Sequence, residues 1–196
     1  CPYTSLHWLS TDGERLWLIG GSPTDATTVF SLSLPEETVQ AIKYSMKVDI
    51  SPSYYSPPRS IESPTENGLT AHAIYYAPQN PRFQAPADER PPLLVISHGG
   101  PTSATRAQLT LSIQYWTTRG FAVADVNYGG STGYGREYRE RLNGTWGIVD
   151  VMDCMNAARY LIEQGEVDGK RVAVRGGSAG GYTTLRALTS TDFAAM

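Results

Sequence analysis

Histidine and cysteine are both scarce in this chain of 196 residues. The three histidines are His7, His72 and His98, and all of them precede the segment in which a catalytic motif is found below. The two cysteines, Cys1 and Cys154, are too few and too far apart for a disulfide framework or a zinc site. We therefore expect no zinc site built on cysteines and interpret Cys154 as a small buried hydrophobe.

Long apolar runs and basic runs are also missing. No stretch of about 18 apolar residues predicts a membrane span, and no signal peptide is visible. Sixteen Lys and Arg against 19 Asp and Glu give a net charge of −3 and a pI near 5.6. Such a balance does not attract nucleic acid or an anionic membrane, so neither is an expected partner.

The two ends of the sequence indicate a piece of a longer protein. The chain starts at Cys1 rather than at a methionine, opens within a strand pattern and stops just after a helix pattern. Missing signals at either end therefore carry little weight. The cytoplasmic location that we predict depends on those missing signals alone.

The first fifty residues have the pattern of short strands separated by turns. Strands are predicted at 16–19, 29–34 and 38–42. The turn signal at 20–25 is dense, and three prolines at 51–60 indicate a linker. This pattern is typical of a sandwich or a propeller blade. We predict an all-β segment at 1–58 and a second domain at 59–196.

Strand and helix patterns alternate after residue 92. Strands are predicted at 93–96, 121–126 and 171–174, and helices at 106–119, 151–164 and 182–188. The clearest helix, 151–164, has its apolar residues on one face, with Asp150 expected as its N-terminal cap and Gly165 as its C-terminal cap. The alternation predicts an α/β fold with a mostly parallel sheet flanked by helices.

A Gly-x-Ser-x-Gly motif lies between the last predicted strand and the last predicted helix. The motif runs from Gly176 through Ser178 to Gly180. In this context it predicts a nucleophile elbow, in which a strained turn presents the serine hydroxyl. The following helix offers N–H groups to an oxyanion, and Ala179 is placed to donate the first of them. We predict Ser178 as the nucleophile.

A second glycine motif follows the predicted strand 93–96. His98-Gly99-Gly100-Pro101 occupies the position from which α/β-hydrolases supply another oxyanion donor. For His98 itself we favour a structural role that orients this loop over a role as the catalytic base.

These motifs together resemble the prolyl oligopeptidase family, in particular its acylaminoacyl-peptidase and dipeptidyl-peptidase-like branch. The resemblance is carried by 98–101, by 127–135, by Trp146-Gly147 with Asp150 and Asp153, and by 176–182. It implies an α/β-hydrolase domain, incomplete here, preceded by the end of a β-propeller. It also implies a peptidase that cleaves short peptides, with the Ala179 and Gly100 N–H groups as its oxyanion hole and with no metal or organic cofactor.

The chain departs from this family pattern after the nucleophile. The triad order is Ser, then Asp, then His, yet no histidine follows Ser178 and Asp192 lies too close to it to match the acid. We therefore expect sequence beyond this chain to supply the acid and the base, with the histidine about 80–120 residues further on.

Other candidate residues and functions were weighed against this interpretation. Asp150 and Asp153 could form a carboxylate pair, but helix capping is favoured. Arg136, Arg139 and Arg141 are interpreted as a solvated face. An esterase or lipase with the same elbow is one alternative, and a non-catalytic fragment or binding module is another. A homo-oligomer remains open, and a piece with an unfinished sheet edge is not expected to be stable or active alone.

Overall fold

The computed structural model describes residues 3–190, and its first part is a four-stranded antiparallel sheet. The strands are β1 (Ser5–Thr11), β2 (Arg15–Gly21), β3 (Thr28–Ser33) and β4 (Val39–Tyr44), paired in that order. Phe30 is buried in this sheet and its ring stacks on Tyr3 at 4.3 Å. The three predicted strands are confirmed as β2, β3 and β4, whereas β1 was indicated only by the strand pattern at the start of the chain, without bounds.

The second sheet has five strands in the described residues. They are β5 (Arg59–Pro64), β6 (Thr70–Tyr76), β7 (Leu93–Ser97), β8 (Ala122–Asn127) and β9 (Val172–Gly176), in the spatial order β5-β6-β8-β7-β9. Strand β7 pairs in parallel with β8 and β9, but β6 pairs antiparallel with β5 and β8. The sheet is therefore mixed, which corrects the expected mostly parallel sheet. The reason is the β5–β6 hairpin, whose strand β5 was not predicted.

Helices cover both faces of this mixed sheet. Within residues 3–190 they are α1 (Leu111–Thr117), α2 (Arg136–Glu140), α3 (Val149–Glu163) and α4 (Ala179–Ser190). On one face, Ile113 of α1 packs in a cluster with Leu94 and Val123. On the other face, α3 contributes to a larger core with β7 and β8. Ala187 of α4 packs with Val151 and Met155 of α3 in a smaller, separate cluster. None of the helices in this described range is long and apolar enough to cross a membrane.

Helix α3 confirms the predicted apolar face but begins differently. Its buried residues include Val151, Cys154 and Leu161, and burial raises the pKa of the Cys154 thiol well above its ordinary value. Gly165 ends the helix at a φ of +69°, as predicted. The start at Val149 is two residues earlier than expected, and Asp150 is not its N-terminal cap.

Candidate functional site

The predicted elbow is a sharp connection between β9 and α4. Strand β9 ends at Gly176, α4 begins at Ala179, and Ser178 between them has a φ of +53°. A residue with a side chain rarely adopts this left-handed conformation, which costs about 1–3 kcal/mol. The Ser178 side chain is exposed rather than packed. The strained turn therefore holds its hydroxyl at the surface of the described chain.

Glycine is required on both sides of Ser178 because backbone atoms fill the space that a side chain would need. A Cβ atom on Gly176 would lie 2.2 Å from the Gly180 carbonyl oxygen. A Cβ atom on Gly180 would lie 2.1 Å from the carbonyl oxygen of Ser97, at the end of β7. The Ser97 hydroxyl also donates to the Gly180 carbonyl at 2.9 Å. These contacts lock the elbow against β7.

The second glycine motif lies directly beside Ser178. A Cβ atom on Gly99 would be 3.3 Å from Ser178 Cβ and 3.9 Å from its hydroxyl oxygen. Gly100 has a φ of +112°, where only glycine is unstrained. Ala179 is the first residue of α4, so the helix itself offers no acceptor for its N–H. Gly99 thus lies against Ser178, Ala179 follows Ser178 at the start of α4, and Gly100 follows Gly99 in the chain; the roles predicted for Ser178, Ala179 and Gly100 stay predictions.

His98 uses both ring nitrogens, one within its own loop and one towards the loop that follows β8. Its Nδ1 lies 2.9 Å from the Gly99 carbonyl oxygen, and its Nε2 lies 2.8 Å from the Ser131 hydroxyl. The ring stacks on Tyr128 at 4.4 Å, and burial lowers the pKa of the imidazole. A neutral ring that donates from Nδ1 and accepts at Nε2 satisfies both contacts. This geometry supports the structural role that the sequence favoured for His98.

The other two histidines are engaged away from the elbow. His72 stacks on Tyr134 at 4.2 Å, and His7 Nε2 lies 2.9 Å from the Ser5 hydroxyl. Within residues 3–190, no histidine forms a hydrogen bond with Ser178. Asp192, which the sequence analysis set aside as the acid, lies outside the described residues.

Asp150 and Asp153 are buried and accept hydrogen bonds from residues outside α3, which corrects their interpretation as helix caps. Asp150 is 0% exposed and accepts from the Gly147 N–H at 2.6 Å and from the Thr183 hydroxyl of α4. Asp153 accepts from the Gly129 N–H at 2.7 Å and from the Thr65 hydroxyl. Burial raises the pKa of Asp153. The two carboxylates thus tie α3 to separate neighbours rather than to a shared site.

Arg141 also departs from its predicted place on a solvated face. Its guanidinium donates to the Thr70 carbonyl oxygen at 2.8 Å and lies 4.5 Å from the centre of the Tyr138 ring. Arg136 and Arg139 are exposed, as predicted.

In the part of the chain that the structure describes, no group of three or more His, Cys, Asp or Glu residues is arranged to hold a metal ion.

Comparison with known proteins gives a consistent set of similarities. Residues 107–196 match the family model described as the prolyl oligopeptidase family. Dipeptidyl aminopeptidase BIII of Pseudoxanthomonas mexicana is 38% identical over 105 residues, which are 54% of this chain and 15% of that protein. The acylamino-acid-releasing enzyme of Rattus norvegicus is 34% identical over 167 residues, 85% of this chain and 21% of that protein.

Solved structures extend the similarity to almost the whole chain. A puromycin hydrolase has 46% identity and a TM-score of 0.95, covering 98% of this chain and 29% of that one. A puromycin-hydrolyzing peptidase of Mycobacterium tuberculosis has 43% identity and a TM-score of 0.96, covering 98% and 30%. The chain therefore spans less than a third of the length of each of these relatives and structures.

Proposed function

We propose that this chain, whose residues 107–196 match the model of the prolyl oligopeptidase family, is the nucleophile-bearing part of a serine peptidase. The mixed sheet with its flanking helices would be the first part of an α/β-hydrolase domain, beginning near residue 59. The four-stranded antiparallel sheet within 1–58 would be the last blade of a β-propeller.

One observation carries the proposal. Ser178 is held at a φ of +53° between two glycines that cannot accept a side chain, and Gly99 lies against it. Strain of this kind persists only where the surrounding contacts impose it, and it is common at catalytic positions. A simple glycine-rich turn would not require a serine in the left-handed conformation.

The proposed mechanism is acyl transfer through Ser178. Its hydroxyl oxygen attacks the carbonyl carbon of the scissile bond while a histidine, supplied by sequence beyond residue 196, accepts its proton. The N–H groups of Ala179 and Gly100 would stabilise the negative oxygen, each contributing about 10²–10³ in turnover. The leaving amine departs with a proton from that histidine, and water then hydrolyses the acyl-enzyme. This chemistry requires no metal or organic cofactor.

The substrate class that we propose is a short peptide or a small aminoacyl amide. Two structures with over 40% identity carry names that refer to puromycin hydrolysis. Puromycin joins an amino acid to a nucleoside through an amide, so its cleavage is the same reaction as peptide cleavage. The full-length enzyme is therefore expected to hydrolyse puromycin and aminoacyl anilides faster than esters of the same acyl group, measured relative to their uncatalysed rates.

A fluorophosphonate probe tests the assignment of the nucleophile. We expect one probe per molecule of full-length enzyme by intact mass, with both labelling and puromycin hydrolysis lost in Ser178→Ala. Ser53→Ala, at an exposed serine outside the elbow, is the matched control and should keep both. Full puromycin hydrolysis by Ser178→Ala would overturn the proposal. Ester hydrolysis without amide hydrolysis would favour the esterase alternative.

A further inference from the structure

The buried tyrosine after β8 contacts the loop that contains Gly99 and Gly100. Tyr128 is 0% exposed, and its hydroxyl lies 3.1 Å from the His98 carbonyl oxygen and 3.0 Å from that of Pro101. These two carbonyl groups flank Gly99 and Gly100 in the chain. One hydroxyl thus spans the two ends of the glycine pair.

Tyr128 is itself held firmly. It directly follows β8, which is paired with strands on both sides. The N–H of the next residue, Gly129, donates to the buried Asp153 at 2.7 Å. The Tyr128 ring stacks on His98 at an interplanar angle of 16°. Burial raises the pKa of the Tyr128 hydroxyl well above its ordinary value of 10.0, so the hydroxyl keeps its proton at neutral pH and can donate it in a hydrogen bond.

Neither residue of the glycine pair has a side chain that could hold its own backbone in place. Gly100 has a φ of +112°, and glycine has more accessible backbone conformations than any other residue. The direction of an oxyanion donor must nevertheless be set closely, because its N–H has to meet the oxygen of the transition state at about 2.7–3.1 Å. The loop therefore depends on contacts from outside the pair. The His98 Nδ1 contact with the Gly99 carbonyl oxygen is one, and the Tyr128 hydroxyl is placed to provide another at the two ends of the pair.

We infer that Tyr128 is a positioning residue, whose hydroxyl fixes the Gly99–Gly100 backbone so that the Gly100 N–H faces the carbonyl attacked by Ser178. This inference rests on the proposed function. Tyr128 would not touch the substrate, so its removal should affect the transition state and leave substrate binding unchanged.

The test is Tyr128→Phe in the full-length enzyme, which keeps the ring and removes only the hydroxyl. We expect kcat for an aminoacyl anilide to fall about tenfold, less than the 10²–10³ of a lost donor, with KM within twofold. A peptide aldehyde, whose adduct with serine carries the same oxyanion, should bind about tenfold more weakly. The probe should still label Ser178.

Tyr138→Phe is the matched control. Tyr138 is also buried, and its hydroxyl also meets two backbone groups, the Asn127 carbonyl oxygen at 2.5 Å and the His72 N–H at 3.2 Å. These groups belong to β8 and β6, not to the glycine loop. Its kcat should stay within twofold of the unchanged enzyme. Equal losses of kcat in the two variants would mean a general packing effect and would overturn the inference.

The remaining outcomes are also decisive. A folded Tyr128→Phe enzyme with kcat and aldehyde affinity within twofold of the original overturns the inference and leaves the proposed function intact. An original enzyme that the probe does not label overturns both. If Tyr128→Phe does not fold, Ser131→Ala is the second variant, because it removes the partner of His98 Nε2 and so loosens the ring that stacks on Tyr128. It should lower kcat about threefold at constant KM, and an unchanged kcat there overturns the inference.

Discussion

Replacing Gly180 by alanine would place a methyl group against the end of β7. The Cβ atom would lie 2.1 Å from the Ser97 carbonyl oxygen and 2.8 Å from that of His98. Real Cβ atoms essentially never approach another heavy atom closer than 3.0 Å. Because both obstacles are backbone atoms, no side-chain rotation relieves them, and α4 must move away from β7 by roughly an ångström.

The expected cost follows from that displacement. Overpacking a tight site costs typically 1–3 kcal/mol, and a contact between backbone atoms belongs at or above the upper end, at about 3 kcal/mol or more. For a domain of 150–250 residues this lowers the thermal midpoint by roughly 6–12 °C. The same movement displaces Ser178 from Gly99, so labelling by a fluorophosphonate should become at least about tenfold slower.

Gly181 provides the matched control on the adjacent residue. A Cβ atom there would meet the Gly176 carbonyl oxygen at 3.6 Å, an ordinary contact. Since Gly181 lies inside α4, alanine should leave the stability unchanged or raise it by up to about 1 kcal/mol. Thermal unfolding and labelling rates of the two variants are compared in parallel. A Gly180→Ala protein as stable and reactive as Gly181→Ala would refute the argument that backbone contacts hold the elbow.

Two further predictions concern buried carboxylates. Thr183→Val removes the hydroxyl that Asp150 accepts from and should destabilise the protein by about 1–3 kcal/mol in urea unfolding, whereas Thr189→Val, at an exposed position on the same helix, should change it by less than about 0.5 kcal/mol. Burial raises the pKa of Asp125 from 3.8 to about 6. Between these two pH values the folded state therefore keeps a proton on Asp125 that the unfolded state has released. Its stabilising contribution is therefore complete below pH 3.8 and is lost as the pH rises through 6; Asp125→Asn should flatten this part of the curve of thermal midpoint against pH, and an unchanged curve would contradict the shift.

The elements that the sequence predicted are those whose pattern is local. Helix α3 and strands β7 and β8 carry their own apolar periodicity, so their types and approximate bounds followed from spacing alone. Strand β5 was missed because its segment, Arg59–Pro64, buries only Ile61 and Ser63 and has little apolar character. Its strand conformation depends on pairing with β6, which spacing within the segment does not reveal.

Helix α1 shows how a distant partner can shorten an element. A helix was predicted from residue 106, but it begins at Leu111. The preceding residues instead bond to residues that flank strands of the N-terminal sheet: the Leu109 N–H donates to the Ser22 carbonyl oxygen at 2.7 Å, and the Ala107 carbonyl oxygen accepts from the Thr4 hydroxyl at 2.8 Å. Backbone groups committed to these partners cannot complete a helical turn.

The candidate site also has parts that the sequence predicted and parts that it did not. The elbow was predictable because the demand for glycine two residues on either side of Ser178 is a local steric requirement. The role of Asp150 could not be predicted, because its partner Thr183 is 33 residues away and a carboxylate at the start of a helix is ordinarily a cap. The contact of Tyr128 with the glycine loop also joins residues about thirty positions apart, through a turn whose conformation the sequence did not specify.

The contacts that strain Ser178 come from three elements of this chain. Gly180 packs on the end of β7, Gly176 packs on Gly180, and the Ser97 hydroxyl binds the Gly180 carbonyl oxygen. The proposed nucleophile and the loop proposed to bind the oxyanion are thus one unit built from β7, β9 and α4. A histidine contributed from elsewhere would only have to approach an already placed hydroxyl. Geometry and proton transfer can therefore be disabled separately, which is why the variants above are judged on kcat, KM and probe labelling rather than on activity alone.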